Sequence, residues 1–151
     1  MTGLASPLLT VVTGTLVFVI GQICLKLIIE PYLEQQKVIS EIRYSLIFYG
    51  NVYCSKEDVE NGEKLKKAIE AQQKFRALVG QLAAVNMFVR GYGFWRFVLF
   101  APSRENIKIA STGLIGLSNS LIATPDQRSR HKHQKDIMDA LEIKSSYIAI
   151  D

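Results

Sequence analysis

An all-α fold tied to a membrane is what this sequence predicts, on three observations. An uncharged apolar run lies near the start of the chain. Apolar residues then recur every three and four positions. Glycines and prolines gather at points that cut the remainder into helix-sized pieces.

The first element is the run from Leu8 to Leu25, which holds no charged side chain. Carried past Lys26 to Ile29 it makes about 22 residues, roughly 33 Å of helix against a hydrocarbon core of roughly 30 Å. Lys26 can hold its ammonium at the interface while its methylenes stay in lipid. Pro7 falls at the helix start, where its missing N–H costs nothing. A cleaved signal peptide fits poorly, because the residues before the run carry no Lys or Arg and no A-x-A site follows. All 18 Lys and Arg lie at or after Lys26, with Lys26, Lys37 and Arg43 nearest the span. Cationic flanks stay cytoplasmic. The expected topology is therefore residues 1–7 outside, 8–29 across the membrane, and 30–151 as a cytoplasmic helical body.

One face of the span is small. Thr10, Gly14, Val17, Gly21 and Cys24 alternate at spacings of four and three, with Gln22 beside them. Small side chains let helices approach closely in lipid, so these residues form a candidate helix–helix contact face.

Below the membrane, Ile28, Tyr32, Gln35, Ile39, Ile42, Leu46 and Tyr49 continue the three-and-four repeat. Glu30-Pro31 predicts a kink in one long helix that ends near Tyr49, before the turn Gly50-Asn51. After the polar segment from Ser55, the residues Leu65, Ile69, Phe75, Leu78, Leu82 and Val85 mark a second long helix antiparallel to the first. Met87–Phe100 follows, rich in aromatics, with arginines its only charges. There Tyr92, Phe94, Trp95, Arg96 and Phe97 could dock at lipid headgroups or fill the core of the body. A third helix is expected over about Ser103–Ile122. Its Gly113 and Gly116 cost helix propensity, which points to close packing against a neighbour. Thr124-Pro125 ends it, and a last helix runs from about Asp126 to Glu142, apolar at Ile137, Met138 and Leu141.

The segments Ile29-Glu-Pro31, Tyr49-Gly-Asn-Val-Tyr53 and Leu114-Ile-Gly-Leu-Ser-Asn-Ser-Leu121 carry a resemblance that covers most of the chain. It resembles uncharacterised bacterial single-pass membrane proteins with an N-terminal span and a cytoplasmic helical body. The resemblance implies the bacterial inner membrane as its location. It implies no activity.

Patterns that carry chemistry are weak. Gly91-Tyr92-Gly93 lacks the preceding Thr-Val and the flanking spans of an ion filter, and reads as a turn. His131 and His133 point about 200° apart on a helix and read as a solvated face rather than metal ligands. Two cysteines, Cys24 and Cys54, stand without metal or redox spacing. Ser118-Asn-Ser120 has neither a nucleophile elbow nor a nearby histidine, so packing or interhelical hydrogen bonding is its reading. No phosphate loop and no H-E-x-x-H occur. Arg128, Arg130, Lys132 and Lys135 form a basic cluster suited to anionic lipid or an acidic partner; without interleaved aromatics it does not suggest nucleic acid.

The sequence thus predicts no enzyme, no cofactor, no metal and no small-molecule substrate. It predicts a membrane-anchored accessory or scaffold subunit that binds other membrane proteins or itself. A surface module for anionic membrane lipids and a small effector that oligomerises in the membrane are the alternatives.

Overall fold

The chain begins as α1, Ala5–Cys24, passes through one π turn, Leu25–Ile29, and continues as α2, Glu30–Phe48. Three further helices follow: α3, Gly62–Phe88; α4, Arg104–Ser120; and α5, Gln127–Ala140. The computed structural model describes residues 5–50, 52, 62–88, 101–122 and 127–143, and among these there is no strand. The all-α class expected from the sequence is the class observed.

At Pro31 the long helix expected from the sequence runs on through one π turn. The Glu30 N–H donates to the Leu25 carbonyl, five residues back, and Glu30 keeps helical angles of φ −59° and ψ −51°. In an unbroken α-helix the Pro31 ring would meet the carbonyl of Leu27. Widening the turn just before the proline relieves that clash without breaking the rod. Pro7–Phe48 is consequently one helix of 42 residues.

Below the span, α2 buries Gln35, Val38, Ile39, Ile42, Ser45 and Leu46. Its partner α3 buries Ala68, Ala71, Phe75, Leu78 and Leu82. The stripe read from the sequence is corrected at Ile69, which is 38% exposed, while the alanines beside it are fully buried. Ala71 joins the core shared with α2, and Ile69 lies on the opposite side of the helix, turned outward. Antiparallel pairing is visible in two contacts whose order reverses: the Tyr49 hydroxyl reaches the Glu70 carboxylate at 3.5 Å, and the Lys74 ammonium pairs with the Glu41 carboxylate. The Tyr49 and Phe75 rings meet edge to face at 6.0 Å.

Ser103 caps α4, its Oγ accepting from the Asn106 N–H at 3.0 Å. Helix α4 lays Ile107, Ala110, Leu114 and Leu117 into the same core. Helix α5 covers α4 through its glycines, as their propensity cost suggested. A Cβ on Gly113 would come within 2.7 Å of Ile137 Cγ1, and one on Gly116 within 2.5 Å of the His133 ring. His133 therefore sits in a seat between helices, not on the solvated face expected of it; His131 is exposed. After Ala140 the chain closes α5 with a left-handed residue, Glu142 at φ 55°, and the Ile143 N–H donates to the Met138 carbonyl at 2.9 Å.

Candidate membrane and interaction surfaces

The apolar N-terminal segment is uncovered throughout. Pro7–Phe48 contains a window long and apolar enough to cross a bilayer, and 0% of that window is buried within the protein. Leu8, Leu9, Val11, Val17 and Phe18 all stand exposed, with no described residue burying them. Polar hydroxyls in the segment are satisfied locally. Thr13 Oγ1 donates to the Leu9 carbonyl at 2.8 Å and Thr15 Oγ1 to the Val11 carbonyl at 2.9 Å. Such back-bonding is what a hydroxyl needs where no water can reach it.

Thr10, Gly14, Val17, Gly21, Gln22 and Cys24 are all exposed, and a Cβ on Gly14 or Gly21 would meet nothing within 4 Å. The π turn decides where this face points. At about 100° per residue, an unbroken α-helix would carry the stripe on into Ile28, Gln35, Ile39, Ile42 and Leu46, the side α2 buries against the body. The π turn adds in effect one residue, which rotates everything below it by about 100°. The small stripe then falls nearest Gln36, Ser40, Arg43 and Ile47, with Leu33 and Tyr44 at its edge, turned from the buried side.

The basic cluster begins α5, near the level of the distal end of α2, and climbs back along α4. Arg76 Nη2 donates to Asn119 Oδ1 at 3.1 Å, and its neighbour Phe75 touches Tyr49, just past the last residue of α2. The C-terminal end of α4 is thus level with the distal end of α2, and α5 starts from there. Arg128, Lys132 and Lys135 are exposed and Arg130 is half-buried. From Glu30 to Phe48 is 19 residues, about 29 Å of helix. Arg128, at the start of α5, lies near that level, and Lys135 stands about two helical turns back towards α1.

The aromatic candidates Tyr92, Phe94, Trp95, Arg96 and Phe97 lie outside the described residues, as do Gly91 and Cys54. What is described is where their segment departs. The pairing of Tyr49 with Phe75 sets the last turns of α3 beside the start of α2, near the membrane side of the body.

Chemical groups are otherwise placed for structure. Ser118 Oγ donates to the Ile115 carbonyl and Ser120 Oγ to the Leu117 carbonyl, while Asn119 bridges to α3. Among the described residues no group of three His, Cys, Asp or Glu is placed to hold a metal ion. Tyr49 is the titratable group with a shifted proton. Burial, and then the Glu70 carboxylate 3.5 Å from its hydroxyl, raise it above the ordinary phenol value. Sequence reasoning missed the His133 seat and the height of the basic cluster, since both depend on how α4 docks.

No family model, no curated protein and no solved structure matches this chain.

Proposed function

We propose that the protein is a single-span accessory or scaffold subunit of a bacterial inner membrane, with its helical body in the cytoplasm. It binds other membrane proteins or copies of itself through the span and the helix below it. One observation carries the reading. A single 42-residue rod is bare and apolar in its first half and holds the core of the body in its second. Such a rod fixes the height and rotation of the body relative to the bilayer, which is what a scaffold needs. The start of α5, near the level of the distal end of α2, argues against Arg128 as a lipid contact. An enzyme has no support in the described side chains, and no cofactor, nucleic acid or small substrate belongs to the proposal.

The test is a full-length chain with a reporter after Asp151, expressed in bacteria and extracted in mild detergent. The expected outcome is reporter activity on the cytoplasmic side, with the chain eluting at fixed stoichiometry in a complex. Periplasmic activity, recovery in the soluble fraction, or elution as a lone monomer would overturn the proposal.

A further inference from the structure

The water-side face of α2 that points away from the body is apolar where a solvated helix face would be polar. Leu33, Tyr44, Ile47 and Phe48 are 50%, 62%, 49% and 61% exposed, and the Tyr44 and Phe48 rings stack on each other at 5.6 Å. With exposed Lys37 and Ser40 between them, Leu33, Tyr44 and Ile47 fall on a series of alternating four and three spacings along one side of the rod, and Phe48 lies one turn below Tyr44. We infer that this face is the seam of a parallel homodimer, in which a second copy of the chain lays the same side of its own rod against it. The inference rests on the membrane-scaffold reading, and names the partner that reading leaves open.

Area and height argue for a second copy. A contact strip about 10 Å wide along α2 alone would cover on the order of 600 Å² over both partners, below the roughly 1,200 Å² of a specific interface. Two rods in contact over all 42 residues would cover on the order of 1,200 Å². The partner must therefore run on through the bilayer beside α1 and also stay straight for about 29 Å below it. A second copy meets both demands by construction, because the shared membrane sets the two chains at one height and in one direction. The π turn brings the upper half of the seam into line, since it swings the small side of α1 to the side of Ser40 and Ile47, with Leu33 and Tyr44 at its edge. Twofold symmetry then sets each of these residues opposite its own copy. Lys37 lies within the patch and is exposed, so its methylenes can pack while the ammonium turns to water.

Cysteine crosslinking of the full chain in native membranes tests this. In a Cys24→Ser, Cys54→Ser background, single cysteines are placed by Ser40→Cys, Ile47→Cys and, on the far side of the body, Gln73→Cys. After oxidation, Ser40→Cys and Ile47→Cys should give a band at twice the 16.9 kDa chain mass, and Gln73→Cys should give none. Adding Tyr44→Glu should cut the Ser40→Cys dimer by about tenfold with unchanged helical circular dichroism, because Tyr44 contributes nothing to the core. Absence of dimer at both seam positions, or equal dimer at Gln73→Cys, overturns the inference. If the seam fails while the chain still elutes with another membrane protein at fixed ratio, the scaffold proposal stands without it; if the chain elutes alone, both fall.

Discussion

Replacing glycine by alanine should have opposite signs at two helical positions, and the difference measures how closely α4 and α5 approach. Gly80 lies within α3, and a Cβ there would meet nothing within 4 Å. Gly80→Ala therefore collects the helix-propensity difference, a gain of about 1 kcal/mol. Gly113 lies within α4, where the new methyl would stand 2.7 Å from Ile137 Cγ1 and 3.2 Å from the His133 carbonyl oxygen. The carbonyl belongs to the α5 backbone and Ile137 is fully buried, so neither can swing aside. Overpacking of this kind costs about 1–3 kcal/mol, which outweighs the same propensity gain and leaves a net loss of about 1 kcal/mol. The two variants should differ by about 2 kcal/mol, or on the order of 6 °C in Tm for a domain of this size. Thermal unfolding of the full chain in mild detergent, followed by circular dichroism, reads the difference. If Gly113→Ala raised Tm as much as Gly80→Ala, the close approach of α4 and α5 would be refuted. Ile137→Ala then serves as the cross-check, since it should shrink the penalty of Gly113→Ala in a double-mutant cycle.

Three further outcomes follow from single residues. Glu142→Gly should stabilise by about 0.5–1 kcal/mol, because a left-handed residue closes α5 and glycine carries no Cβ penalty there; calorimetry would show it. Ser45→Ala should be neutral or raise stability by about 1 kcal/mol in denaturant melts, since the Ser45 hydroxyl is fully buried and has no hydrogen-bond partner among the described residues. Tyr49 should titrate above the ordinary phenol value near 10, by ultraviolet difference absorbance, and Glu70→Gln should lower it. Since the folded value is the raised one, the linked stability is fully present below about pH 10 and is lost as pH climbs through the folded value.

The parts of this fold that are legible in the sequence are those written in periodicity. Ile39, Ile42 and Leu46 repeat at helical spacing with no competing pattern, and each is buried where the repeat puts it. Gly113 and Gly116 announce a close contact because nothing else in a helix justifies their cost. The misses have a common cause: each depends on a neighbour distant in sequence. Ala68 and Ala71 are buried while Ile69 is not, because the buried stripe of α3 runs through the alanines, and a stripe read from large apolar side chains overlooks them. The His133 seat exists because α4 offers a glycine at that height. The π turn is hidden for a more local reason, since the proline that demands it gives the same signal whether the helix kinks or widens.

Under the proposed topology the continuity of the long helix has a consequence. Hydrogen bonding passes from α1 into α2 through the π turn, so the body would be tied to the span by helix rather than by a flexible linker. A tilt of about 20°, average for a span, raises a point about 29 Å down the axis by only about 2 Å. The start of α5 would then stand well below the headgroups, and the exposed side of α2 would face along the plane of the membrane, where other anchored chains are met.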